Sequence, residues 1–348
     1  MVNFSWKLAA FAAAIVAAIH GKYRNGSSLT ERTAYNQRLF QYILPGSDKS
    51  REHSDKSRNS VGWTAFAVAM GRAIESYRKD RLFNDPVAVK LFEWDKSCIG
   101  YGCSLSFSRA VLFLVVRNQR VSWFIPTEIQ QTMLIISIRT RYLDDQINSV
   151  LRQERNTDQQ QLVIVAAGLD ARVFRMQSLL NSTGTTTFEI DFPNMLVAKR
   201  EIFAASGFSY KDIMSKERGY TVRHVESDLT VPNLWREELI RQGFDPSQRT
   251  VWLIEGFTGY LTNPELDIFL KTLTKLSAQS SVLLSTWIES DSPTKTSMHR
   301  SFANDPSSIV EPFGWSEIDV QSVHSAGDRM GRKGGSDHFT MSCHEKKM

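Results

Sequence analysis

The feature that most constrains this chain is a short β-branched apolar run ending in glycine, LVIVAAG at Leu162–Gly168. Such a run suits a strand buried on both faces of a parallel sheet. Helix-patterned residues follow from Asp170 to Leu180, and the alternation then repeats. TTTFEID (Thr185–Asp191) leads into a helix at Asn194–Ala205, and RHVESD (Arg223–Asp228) into one at Asn233–Gln242. TVWLIEG (Thr250–Gly256) leads into a helix opening near Asn263-Pro264, where asparagine can cap and proline suits the first turn. SSVLLSTW (Ser280–Trp287) is a fifth strand. Strands alternating with helices predict an α/β fold, Rossmann-like, with a parallel sheet and helices on both faces.

Ligands of open α/β sheets bind beyond the carboxyl ends of the strands. Those ends carry Gly168, Asp191 (with Glu189 two residues earlier), Asp228-Leu229 and Glu255-Gly256. Core packing gives no reason for acids at successive strand ends, so they point to a ligand. Gly168 lets the backbone turn and approach that ligand without a Cβ in the way. The distance from Gly168 to Asp191 is near the ~20 residues expected between a glycine turn and a ribose-binding acid. Asp228 suits an adenine amine and Leu229 the ring face. A dinucleotide would call for G-x-G-x-x-G, and AAGLDA (Ala166–Ala171) lacks two of those glycines. S-adenosyl-L-methionine, which has no phosphate, fits better, and a nicotinamide-dependent oxidoreductase is the rival on fold alone.

Upstream, residues from Trp63 are helix-patterned, turn at Asp85-Pro86, and continue to a long helix at about Thr127–Leu151. A helical cap at 62–151 is expected ahead of a cofactor-binding core at 162–290, both within a domain spanning 62–348. Before it, PGSDKSREHSDKSRNS (Pro45–Ser60) has no apolar residue after Pro45 and reads as part of a polar linker at 26–61. The apolar segment at 1–25 contains LAAFAAAIVAAI (Leu8–Ile19). That run falls short of the roughly 18–20 residues that span a bilayer. It suits a signal-peptide core, a short membrane anchor or an Ala-rich packing helix. Localisation therefore reads as a cytoplasmic-type domain, with residues 8–19 offering membrane association or organelle targeting.

Lys and Arg number 42 against 37 Asp and Glu, and the excess is spread along the chain. A committed nucleic-acid binder concentrates its basic charge, so no nucleic-acid partner is expected. Cys98, Cys103 and Cys343 form no disulfide framework, and C-x4-C without further His or Cys is poor zinc spacing. No metal is expected.

LVIVAAGLDARVFRM, TFEIDFPNMLVAKR, ESDL and WLIEGFTGYLT, with the upstream WTAFAVAMGRAIESYRKDRLFNDPVA and IRTRYLDD, resemble successive motifs of the leucine carboxyl methyltransferase family. The resemblance covers about Gly62–Ala278 and continues more weakly through PFGWSEIDV and GDRMGR. It implies an S-adenosylmethionine-dependent methyltransferase of the Rossmann-like class I type. It assigns Arg139 to the methionine carboxylate of the cofactor, with Arg72 a second basic residue at that end. Gly168 would form the cofactor turn, Asp191 hold the ribose, Asp228 and Leu229 make the adenine pocket, and Glu255 lie beside the cofactor. Tyr260 falls where the family places an aromatic near the acceptor. The family usually reads G-A-G where this chain has Ala166 first, and a methyl group there crowds the cofactor if the position needs positive φ.

Other readings stay open for the same residues. Arg139 and Arg141 also suit surface helix charges, with Arg141 paired to Asp144 or Asp145. Either Glu189 or Asp191 could be solvated, and Tyr260 could be packing. Trp252 and Trp287 suit the sheet face. His224 and His299 have no visible nucleophile or ligand partner in the sequence, and neither is assigned a role.

A carboxylate acceptor is already ionised at neutral pH, whereas a hydroxyl needs a base, and no Ser-His-Asp or Cys-His set is visible. The expected activity is O-methylation of a carboxylate on a small molecule or a protein C-terminus. A membrane-tethered binding protein that keeps the fold without turnover is the alternative.

Overall fold

A computed structural model describes residues 56–92, 127–153, 160–213, 220–292, 295 and 298–347. The apolar run at 8–19, most of the expected linker, Cys98 and Cys103 lie outside the described residues. Among the described residues, no helix is long and apolar enough to cross a membrane.

Seven strands form one sheet: β1 Gln161–Val165, β2 Thr186–Asp191, β3 Thr221–Glu226, β4 Thr250–Ile254, β5 Val282–Ile288, β6 Trp315–Ser322 and β7 Phe339–Lys346. Their order is β3-β2-β1-β4-β5-β7-β6. The first five are mutually parallel, and the order reverses between β1 and β4, which creates a crevice at their carboxyl ends. The principal helices are α1 Lys56–Tyr77, α2 Pro86–Phe92, α3 Thr127–Arg152, α4 Pro193–Ala205, α5 Pro232–Arg241, α6 Asn263–Lys275 and α7 Val323–Arg329.

The continuous apolar character of β1 and β4 follows from burial on both faces. Leu162 and Ile164 pack with Ala69 and Ala73 of α1, Val87 of α2, and Ile138, Leu143 and Ile147 of α3. Val163 and Val165 point the other way, into a second core with Trp235 and Leu239 of α5 and Leu266, Phe269 and Leu273 of α6. Each buried Val, Leu, Ile or Phe among them contributes roughly 1.5–3 kcal/mol. Trp252 lies in that second core and donates its indole N–H to Ser277 Oγ at 2.9 Å, as expected for sheet-face packing.

Two expectations are corrected. The sheet is not wholly parallel: β7 runs antiparallel between β5 and β6. Its sequence, FTMSCHEK, is too polar to read as a buried strand. Its serine is partnered across the sheet, with the hydroxyls of Ser285 and Ser342 2.8 Å apart in the β5–β7 pair. The cap of α6 is Thr262, not Asn263. Thr262 accepts from the Glu265 backbone while the Glu265 carboxylate accepts from Thr262 N at 2.7 Å, a complete capping box.

The crossing of α1 and α3 positions the site. A Cβ on Gly71 would lie 2.8 Å from Ile136 Cδ1, so only glycine allows the two helices to approach this closely. That approach sets Arg72 and Arg139, one from each helix, at the carboxyl edge of β1 and β4.

Candidate functional site

A cavity lies beyond the carboxyl ends of β1, β2, β4 and β5. Its lining includes Arg72, Arg139, Ala166, Gly168, Asp191, Glu255, Tyr260 and His299. Six of the eight residues singled out from the sequence therefore share one cavity wall. Asp228 and Leu229 stand outside that lining. Asp228 Oδ1 accepts from both the backbone N and the hydroxyl of Thr230, closing a turn after β3, and Leu229 is buried in the second core.

The turn after β1 is tight. Ala166 and Gly168 both adopt positive φ, +50° and +43°. At Gly168 a Cβ would also meet Ala65 Cβ at 3.2 Å, so conformation and space both favour glycine. At Ala166 the same left-handed region costs about 1–2 kcal/mol. The turn is tied to the end of β2, because Asp191 Oδ2 accepts from Gly168 N at 2.7 Å. Its other oxygen accepts from Phe192 N at 2.7 Å. Burial pushes the Asp191 carboxyl above its ordinary value, and those two backbone donors offset this only in part. Each carboxylate oxygen retains a lone pair for a hydroxyl donor in the cavity.

Glu189 is not solvated. It is fully buried and takes the Lys199 ammonium at 2.9 Å, Tyr210 OH at 2.8 Å and His224 Nε2 at 3.1 Å. Burial alone would raise its carboxyl, but Lys199 and then His224 hold it below the ordinary value. Lys199 also reaches the Ala167 carbonyl at 3.5 Å, so this buried network backs the cofactor-side turn. The partners of His224 come from β2 and α4, elements distant in sequence, and nothing local announced them.

Arg139 is not a surface charge. Its Nε donates to Glu255 Oε1 at 2.9 Å. Its Nη1 and Nη2 lie 3.8 and 3.9 Å from where a Cβ on Gly256 would stand, and Gly256 has φ +68°. No hydrogen bond from either Nη is found among the described residues, so the fork is presented to the cavity. Arg141, one turn-face away, makes the surface pair with Asp145 at 2.7 Å. Arg72 is held by Asp85 at 2.8 Å and donates to the Leu169 carbonyl at 2.5 Å, which pins the loop after β1.

One further residue had escaped notice in the sequence. Arg172, just after the β1 turn, is buried and ion-paired to Asp144, Asp170 and Glu255. Burial would raise the Glu255 carboxyl, but Arg172 and then Arg139 hold it below its ordinary value, so it stays ionised. Asp170 is likewise held low by Arg172 against its own burial. The ARVFR segment carried the charge, but only the fold shows that it turns inward.

Tyr260 sits in the turn after β4. Burial raises its hydroxyl, opposed by a hydrogen bond with Thr64 and by Arg139. Its ring stacks on His299 with centroids 5.6 Å apart. Trp287 packs at the sheet end and lines the cavity as well.

The fit to S-adenosyl-L-methionine can be judged from these groups. A turn that a Cβ would fill, an acid with acceptor capacity beside it, and an arginine fork facing the gap suit a nucleoside carrying a carboxylate. The turn after β1 lacks the spaced glycines of a pyrophosphate cradle. Fold and strand-end chemistry together define a Rossmann-like nucleoside-binding α/β protein.

Residues 65–274 match the leucine carboxyl methyltransferase family. A protein of Parafrankia sp. (strain EAN1pec) named "Putative S-adenosyl-L-methionine-dependent methyltransferase" is 32% identical over 231 residues, 66% of this chain and 64% of that protein. A Frankia alni protein with the same description is 33% identical over 227 residues, 64% of this chain and 67% of its own length. The alignment thus spans about two thirds of these relatives. The crystal structure of a DUF574 family protein from Streptomyces avermitilis is 12% identical, with a TM-score of 0.49, covering 64% of this chain and 87% of that one. This chain belongs to the leucine carboxyl methyltransferase family.

Proposed function

We propose that this protein is an S-adenosyl-L-methionine-dependent O-methyltransferase whose acceptor is a carboxylate of a small molecule or a protein C-terminus. The observation that carries the cofactor is the Arg139 fork facing a gap bounded by Gly168 and Asp191. When bound, the cofactor supplies an electrophilic sulfonium methyl. The chain's own task is then alignment and exclusion of water.

In this reading Asp191 accepts the ribose hydroxyls, and Gly168 lets the backbone lie against the methionine arm. Arg139 holds the cofactor carboxylate, aimed by Glu255, while Arg72 fixes the Leu169 carbonyl beneath it. Asp228 and Leu229 would serve the adenine only from the rim, since neither lines the cavity. The acceptor would enter over Phe257, Tyr260, Ile288 and Phe339. A carboxylate arrives ionised, so the transfer asks no base of the protein.

Family membership and the names of the relatives support the methyltransferase reading over a nicotinamide enzyme. The carboxylate rests on the family resemblance and on the chemistry of the acceptor. Calorimetric titration of the full chain with S-adenosylhomocysteine tests the site. Saturable binding, weakened in Arg139→Ala and not competed by NADH, is the expected result. Binding of NADH in place of S-adenosylhomocysteine would overturn it.

A further inference from the structure

The cavity wall away from Asp191 contains a group that the sequence left without a role. His299 stacks on Tyr260, with ring planes 29° apart. A Cβ on Gly259 would stand 2.9 Å from the imidazole Cδ2, so the ring is seated against the backbone. The Gly259 carbonyl accepts from Arg300 N at 2.7 Å, which fixes the chain at this point. Burial holds the imidazole below its ordinary value.

A carboxylate that leaves water for this wall needs a charged partner. The other charged or titratable groups of the cavity are Arg72, Arg139, Asp170, Asp191, Glu255 and Tyr260. Arg72 is held by Asp85, and Arg139 by Glu255 with its fork assigned to the cofactor. Asp170 and Glu255 are both engaged by Arg172, and Asp191 by two backbone donors. Arg300, next in the chain, pairs with Glu265 at 2.9 Å. His299 is a lining residue that can gain positive charge when an acid arrives.

We propose that His299, seated on Tyr260, is the acceptor-binding group, taking up a proton as the acceptor's carboxylate binds and releasing it once the ester has formed. This rests on the carboxylate-directed, S-adenosylmethionine-dependent reading. One carboxylate oxygen accepts from the imidazolium, and the other uses a lone pair to form the O–CH3 bond. The S–CH3 bond breaks as this forms, and its electron pair stays on sulfur. The ester carries no charge, so the imidazolium loses its anion and gives its proton to solvent. Product release is therefore favoured by loss of the ion pair that held the substrate.

The test is calorimetry on the full chain saturated with S-adenosylhomocysteine, with 4-methylpentanoate as probe near neutral pH. Heats in two buffers of different ionisation enthalpy give the protons taken up per acid bound. Uptake approaching one proton is expected, absent for the alcohol 4-methylpentan-1-ol. In His299→Gln the uptake vanishes and the acid binds on the order of tenfold more weakly, as for loss of a hydrogen bond to a charged group. S-adenosylhomocysteine affinity stays at the parental level, which also reports an intact fold; His299→Asn serves if Gln does not fold. Binding of the acid without proton uptake, uptake that persists in the variant, or no binding of the acid would overturn the proposal. Failure of the parent chain to bind S-adenosylhomocysteine would instead bring down the reading beneath it.

Discussion

Glu255 lies between two arginines, accepting from Arg139 Nε at 2.9 Å and from Arg172 Nη1 at 2.8 Å. One arginine faces the cavity and the other is buried behind it. The carboxylate therefore aims the first by leaning on the second.

This arrangement separates binding from stability. Arg139→Ala leaves Glu255 paired with Arg172, so the melting temperature should move little. S-adenosylhomocysteine affinity should drop about 10- to 100-fold, the scale of a lost charge-assisted hydrogen-bond pair. Glu255→Ala should instead cost roughly 2–4 kcal/mol of stability and weaken binding as well. Thermal melts and calorimetry on the two variants check the split. Equal loss of stability in both would show that Arg139 is a structural residue.

Ala166 holds φ +50° at the cavity wall. Ala166→Gly should relieve about 1–2 kcal/mol of left-handed strain, less about 0.4–1 kcal/mol for the freer unfolded chain. The net gain should show as a melting temperature a degree or more higher, with cofactor affinity equal or better. A lower melting temperature would mean that the methyl group makes contacts worth more than the strain.

The Glu189–Lys199 pair is fully buried. Glu189→Gln leaves an ammonium without its counter-charge, at a cost of about 3–5 kcal/mol. In the parent chain the folded Glu189 carboxyl lies below its ordinary value of 4.5. Its stabilisation is therefore complete above the unfolded value and is lost as pH falls through the lower folded one. Urea melts of parent and variant should converge on acidification. Curves that stay parallel would refute the assignment.

Asp191 has the opposite shift, its carboxyl lying above the ordinary value of 3.8. Protonation removes the acceptor for the ribose hydroxyls. S-adenosylhomocysteine affinity should therefore start to fall at a higher pH than a solvated aspartate would give, and Asp191→Asn should flatten that profile while binding weakly throughout. A parental profile that is flat down to the unfolding limit would exclude the role.

Gly259 sets the seat of His299. Gly259→Ala should displace the imidazole and reduce methyl transfer to any acceptor roughly 100-fold, the scale of an ångström's misplacement. Cofactor affinity should be preserved, which single-substrate calorimetry beside a labelled-methyl transfer assay would show.

Local pattern alone determined a good deal of this protein. β1, β4 and β5 were legible because burial on both faces leaves an apolar run that needs no partner to be recognised. Gly168 and Asp191 were legible because the βαβ unit fixes the spacing between a glycine turn and a strand-end acid. β6 and β7 were not, since β7 carries serine, threonine and histidine, and the partners of Ser342 and His344 are Ser285 of β5 and Ser307, far away in sequence. Tertiary structure alone decided which charges face inward. Arg139 and Arg141 look alike in RTR, but two residues on a helix point about 200° apart, so one meets Glu255 and the other Asp145. Likewise His299 has no neighbour in sequence that marks it. It became a candidate only when the turn after β4 brought Tyr260 against it, because a side chain's charge state is set by what surrounds it in space.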